Sequence, residues 1–380
     1  MLKKALGAVA VIAVLFIAWL FTQGGGMQTV QAFLHPAGTP PVAPVAAVSP
    51  VSTAPAAPVV PTPGFQQVVD ALDSIKANGV VRVSNENPSE PFYGVTNGVP
   101  HGFNVEFAAL LFKDASFHTP NHPTIALDFN HSVDSYAGVP QQLLAKDTAG
   151  NNTVDIAMDG LTFSDNALPG VVYSVPYIDD FGYSLIVRKG SAIRSATDLA
   201  GKTVGILKGD PDVKAFVTRQ YPGTTFVEVD DADPAFIQKA LDSRAVDAFI
   251  YDYPFAVESI KGTDAQFAVA KLDGSSIAYK IGVRAQDQSL LIYLNAAIAK
   301  VRQTPEYLEL LRKYFVSNQT VTTAATAGER TYTVRQGDTL NLIASSQLGN
   351  GQRYAEIQRR NNLANPNLIL VGQHLVIPAR

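Results

Sequence analysis

The chain has 380 residues, 47% of them hydrophobic, which is length and apolar content enough for two or three packed domains. A formal net charge of only -4, without a basic cluster, excludes nucleic acid as an expected partner. The absence of Cys excludes disulfides, thiolate metal sites, thiol nucleophiles and a lipid-accepting cysteine, so any membrane attachment must be a peptide segment.

Lys3 and Lys4 precede an uncharged apolar run over residues 5–21, the pattern of an export signal. At roughly 17 residues the run sits at the lower limit for spanning a hydrocarbon core. The nearest small-x-small cleavage candidate, Val30 to Ala32, lies far from its end, which favours an uncleaved anchor at 1–26, lysines on the cytoplasmic side, over a discarded signal sequence. Residues 27–65 form a Pro/Ala-rich linker. The prolines of PPVAPV, SPVSTAPAAP and PTP hold φ near the polyproline value and deny backbone donors. Nearly thirty such residues reach on the order of 80 to 90 Å when extended, which suits a body standing off a membrane.

From 66 to 318, short β-like runs at 80–84, 125–129, 154–158, 183–187, 203–207, 226–229 and 246–251 are mostly followed by amphipathic stretches, an α/β pattern. Asp233 with Pro234, and Thr304 with Pro305, read as helix caps followed by a proline in the first turn.

The stretch IKANGVVRVSNENPSEPFYGVTNGVPHGFNVEFAALL from Ile75 resembles the opening of the type II periplasmic solute-binding proteins for amino acids. The segment VDIAMDGLTFSDNALPGVVYSVPYIDDFGYSLIVRKGS from Val154 is similar to that family's ligand-touching turn and following crossover. DLAGKTVGILKGDPDVKAF from Asp198 and AVDAFIYDYP from Ala245 are similar to its second lobe, and the segment from Tyr279 to Phe315 to its closing helices. The resemblance implies two α/β lobes joined by two crossover strands, lobe one from 66–182 and 277–318 and lobe two from 183–276, with ligand clamped between them.

In that family an α-amino acid is held by an Arg and a helix N-terminus at its carboxylate, and by acidic residues at its amine. The resemblance puts Ala167 at the Arg position, with no arginine nearby before Arg188, so the bidentate clamp is missing. Asp210 caps the lobe-two helix, and Pro211 and Asp212 follow; carboxylates there oppose an anion rather than receive it. On the amine side the resemblance implies Asp252 and Glu86, with Phe92 and Tyr93 in an aromatic turn over the ligand and Gly160 and Thr162 in the polar turn. The implied cleft is acidic and suits a cationic or neutral amino-acid-like solute better than a free α-amino acid. A cleft that has lost solute binding and serves as a structural body is the alternative.

After a linker at 319–329, residues 330–380 read as strand, helix, helix, strand. Tyr332-Thr333-Val334, Gly337-Asp338-Thr339-Leu340, Asn361-Asn362, Asn365-Pro366-Asn367-Leu368-Ile369, Gly372-Gln373 and Ile377-Pro378 resemble a LysM module. The resemblance implies a groove for N-acetylglucosamine-containing glycan, chiefly peptidoglycan, between Gly337, Asp338, Thr339, Leu340 and the loop Asn365, Pro366, Asn367, Leu368, Ile369. Asn341, Leu370 and Val371 stand where that family often has aromatics.

No HExxH, P-loop, G-x-G-x-x-G after a strand or G-x-S-x-G is present. His118, His122 and His131 read as a solvated loop, since Pro120 and Pro123 keep the first two off a regular helix. The expectation is therefore a non-enzymatic envelope protein without cofactor or metal, tethered to the cytoplasmic membrane and the wall, that serves an ABC permease or sensor receptor. A wall scaffold and a lyase of the same fold are the other readings.

Overall fold

In the computed structural model the described residues are 70–163, 167–230, 235–317 and 324–379. The expected anchor at 1–26 and the linker at 27–65 lie outside them, as do Asp233 and Pro234. Among the described residues no helix is long and apolar enough to cross a membrane.

Strand β1 (Val80–Glu86) opens a sheet after a helix (Ala71–Asn78) that Asp70 caps, its carboxylate accepting from the Leu72 N–H at 2.9 Å. A small hairpin, β2 (Gly94–Thr96) and β3 (Val99–His101), follows. Then β4 (Ala126–Val133), β5 (Ile156–Leu161), β6 (Val171–Tyr173) and β7 (Ile178–Phe181) complete the first half. The run IAMDGL of β5 is buried at every position, as a central strand covered on both faces must be. β1 lies parallel to β4 and β5.

β8 (Tyr183–Arg188) carries the chain into a second sheet with β9 (Thr203–Leu207), β10 (Thr225–Val229), β11 (Ala248–Asp252) and β12 (Ala265–Val269), ordered β10-β9-β11-β8-β12. β13 (Ile277–Arg284) then returns to the first sheet, whose order is β4-β1-β5-β13-β6, with β7 also paired to β13. The result is a two-lobed α/β body with two passages of the chain between its sheets. Helix starts are local: Asp210 accepts from the N–H groups of Asp212 and Val213 at 3.0 and 2.9 Å, and the Thr304 hydroxyl from that of Tyr307 at 3.3 Å.

The small C-terminal unit pairs β14 (Arg330–Thr333) antiparallel with β15 (His374–Ile377) around the helices Leu340–Leu348 and Tyr354–Arg360. Its own core gathers Val334, Leu340, Ile343, Leu348, Ile357, Leu375 and Ile377. Asn362, at φ 52°, sets this unit against the edge strand β12. Its side-chain oxygen accepts from the Ala270 N–H at 2.6 Å, and its amide donates to the carbonyls of Phe267 and Ala268 at 3.2 and 3.0 Å. The side chain thereby pairs backbone groups that an edge strand otherwise leaves open.

Candidate functional site

A cavity of about 410 Å³ is lined by Thr162 just after β5, Asp210 and Asp212 from a helix start in the second lobe, Asp252 from β11, and Lys280 from β13. Its size falls in the range of small-molecule sites. The second sheet places Asp252 here because β11 ends at this residue and the chain turns at once into the helix Tyr253–Ser259, for which Asp252 makes no capping bond.

Asp252 is 9% exposed. One carboxylate oxygen accepts from the Tyr279 hydroxyl at 3.0 Å, whereas the other, Oδ1, has no hydrogen-bond partner among the described residues. Burial, reinforced by the charge of Asp210, pushes the Asp252 carboxyl up to about 7 against the pull of the Tyr279 hydrogen bond. Burial also raises Asp210, although two backbone N–H groups of its helix stabilise the charged form. The helix N-terminus thus has its first donors occupied by its own carboxylate, as the sequence implied.

Of the seven expected ligand residues, the structure brings Thr162, Asp210 and Asp252 together around this cavity. The Thr162 N–H donates to the Tyr136 hydroxyl at 2.9 Å, fixing the turn. Glu86, Phe92, Tyr93 and Gly160 do not line it. Phe92 is fully buried, with the rings of Phe255, Tyr279 and Phe315 centred 4.7, 5.2 and 5.6 Å away; it is core beneath the cleft rather than a cover over it. Tyr93 stacks on Phe129 at 5.7 Å and donates its hydroxyl to the Phe129 carbonyl at 3.2 Å. Gly160 has φ 60°, and a Cβ there would lie 3.1 Å from the Phe255 ring, so its role is to admit that ring. Glu86 ends β1 beside Asp159, a fully buried carboxyl that burial and the Glu86 charge hold well above its ordinary value.

Ala167 is exposed and takes no part in the lining. Lys280 and Arg219 do line the cavity, so it is not uniformly acidic. Sequence reading passed over Lys280, although a lysine flanked by the apolar residues of IAYKIGV is a usable signal. No group of His, Cys, Asp and Glu suited to a metal ion occurs among the described residues.

In the C-terminal unit, Gly337 takes φ 84° in the loop before the first helix. Asp338 accepts from the Tyr332 hydroxyl at 2.8 Å and the Arg335 N–H at 2.7 Å, and Thr339 caps through Leu342 at 3.2 Å. Across from them, Asn365 is 3% exposed and accepts from the Asn367 N–H at 2.8 Å. Leu340, Leu368 and Ile369 are buried, and Pro366 is half-buried. The Asn367 amide reaches Asp180 of β7 at 3.2 Å.

Two lobes around a charged cavity define an extracytoplasmic solute-binding protein, here with a LysM domain behind it. The chain belongs to the bacterial extracellular solute-binding proteins, family 3, whose model matches residues 81–317, and the LysM domain model matches residues 332–378. The L-cystine-binding protein TcyJ of Escherichia coli (strain K12) is 27% identical over 252 residues, covering 66% of this chain and 87% of that protein. The N-acetylmuramoyl-L-alanine amidase XlyA of Bacillus subtilis (strain 168) is 48% identical over 52 residues, 14% of this chain and 16% of the amidase. A solved ancestral cationic amino acid solute binding protein, AncCDT-1, superposes with a TM-score of 0.52 at 22% identity, covering 65% of this chain and all of that one; this likeness bears on the fold alone.

Proposed function

We propose that this protein captures a small cationic or neutral amino-acid-like solute in the cell envelope, hands it to an ABC permease or a sensor, and holds to peptidoglycan through its LysM domain. The cleft works by binding, without a chemical step. The observation that carries the reading is Asp252: a buried carboxylate in the wall of a solute-sized cavity beside Asp210 and Asp212, with one oxygen unpartnered among the described residues. A ligand ammonium supplies the missing partner and relieves the repulsion among the three acids. The likeness to the L-cystine-binding protein supports the amino-acid class, and the likeness to the amidase XlyA supports wall binding by the LysM domain. The N-terminal apolar run is assigned to tethering the body at the membrane.

Calorimetry on the protein at pH 8 with L-lysine, L-arginine, L-cystine and L-glutamate tests this. Micromolar binding of one of the first three with weak or absent binding of glutamate is expected; tight glutamate binding overturns it. The second reading, a wall scaffold with a silent cleft, is favoured by the way Asp210 already occupies the helix N–H groups. Silence across a wider solute screen, with pull-down on peptidoglycan retained, selects that reading instead.

A further inference from the structure

We infer that Lys280 receives a ligand carboxylate in this cleft, so that the solute carries both an amine and a carboxylate even though the arginine position of the family is Ala167. The inference rests on the cleft being a working amine site and adds the second group that the solute must present.

Lys280 stands on the return strand β13 between Tyr279 and Ile281, both fully buried. Lysine is seldom placed in such a strand, because its long side chain loses rotamer freedom and its ammonium loses water. The ammonium is held in place by one hydrogen bond, to the Phe163 carbonyl at 3.0 Å, next to the turn that ends at Thr162. No carboxylate forms an ion pair with it among the described residues. It also lies 5.9 Å from the centre of the Tyr173 ring; an ammonium has three donors, and among the described residues only one of them is used.

The same cavity presents Asp252 from lobe two and Thr162 from lobe one. A zwitterion laid across it meets an acid at one end and a cation with a hydroxyl at the other. Ala167 is exposed outside the cavity, so nothing at the inherited position competes for the carboxylate. The other lining cation, Arg219, is exposed in the last turn of the helix Pro211–Gln220, where water screens it more strongly than it does Lys280. The grip differs from an arginine clamp in kind. A lysine acts as a point charge without a planar fork, so it attracts a carboxylate while fixing its orientation less tightly.

The test uses ligand pairs that differ only by the carboxylate: L-lysine and cadaverine, L-arginine and agmatine, L-ornithine and putrescine. Each is titrated into the full chain at pH 8 by calorimetry. For at least one pair the wild type should bind the amino acid about tenfold or more tightly than the amine. Lys280→Met should erase that preference while leaving the amine within about twofold of wild type, and Lys280→Arg should retain it. The amine serves as the internal check that the variant cleft is folded. A preference that survives Lys280→Met, or amine and amino acid weakening together, overturns the assignment and leaves the amine site standing. If none of the six binds the wild type, the amine site itself fails and the assignment of Lys280 falls with it.

Discussion

In the cleft, among the described residues, Asp252 keeps one carboxylate oxygen unpartnered and Lys280 makes a single hydrogen bond. In the LysM loops, Asp338, Thr339 and Asn365 all accept hydrogen bonds from their own neighbourhood. Both regions are rich in polar side chains, yet only the first holds them in reserve. A binding site that waits for a charged ligand leaves buried polar atoms unsatisfied and is less stable for it. A loop whose side chains hold its own shape is stable empty, and what it can offer a glycan is chiefly backbone and the contour of the groove.

The sharpest way to break this contrast is Asp252→Asn. It should weaken an amine ligand by about a hundredfold, since the charge-assisted bond and the ion attraction are lost together. The same change should stabilise the empty protein at pH 8. The carboxyl stands at about 7 in the folded state against an ordinary 3.8, so between those values the folded chain holds a proton that the unfolded chain has released. Stability from this group is therefore present at low pH and falls as pH rises from about 4 to 7. Asp252→Asn removes that loss, a gain on the order of 2 to 4 kcal/mol at pH 8. Ligand affinity runs the other way and should climb with pH toward a plateau above about 7, where the carboxylate is charged. Denaturant titrations and calorimetry at pH 5 and pH 8 check both slopes. Parallel slopes, or a variant less stable than wild type at pH 8, would sink the account of Asp252 as a held-open site.

Asn361→Ala probes the other side of the contrast. Its amide donates to the carbonyls of Ile357 and Val376 at 2.8 and 2.7 Å, and its oxygen accepts from the Val376 N–H at 2.6 Å. The alanine leaves the half-buried backbone of β15 short of partners, and the LysM transition should lose about 1 to 3 kcal/mol. Solute affinity should not change, because Asn361 lies in the other region. A loss of solute binding in a calorimetric comparison would show that the two regions do not act separately.

How far each region was legible follows from the same physics. The LysM module was legible through its resemblance to that family, and its turns because Asp338, Thr339 and Asn365 bond within a few residues of themselves; short-range hydrogen bonds leave short-range signatures. The caps at Asp210 and Thr304 were plain for the same reason. The cleft is assembled from Thr162, Asp210, Asp252 and Lys280, which are distant along the chain and meet only through the two sheets and the return strand. Family resemblance bridged that distance for Asp252 and Asp210, and it could not do so for Lys280, which matches none of the family's usual grips. Phe92 and Tyr93 misled for a related reason. An aromatic turn beside a proline looks alike whether it covers a ligand or fills a core, and only the rings of Phe255, Tyr279 and Phe315 around Phe92, and that of Phe129 against Tyr93, decide it.

The smallest expected effect is that of Asp338→Ala, which separates holding the loop from touching the glycan. Asp338 ties Tyr332 on β14 to the turn at Arg335, and its removal should lower the LysM melting transition by several degrees, the scale of two exposed or half-buried hydrogen bonds to a carboxylate in a small domain. Below that transition the variant loop is still shaped by Gly337 and by the Thr339 cap on Leu342. Retention on insoluble peptidoglycan, measured with the full chain well below the melting range, should therefore stay within about twofold of wild type. A tenfold or larger loss from a protein that remains folded would make Asp338 a direct glycan contact. The LysM loops would then resemble the cleft in keeping a charged side chain for the ligand.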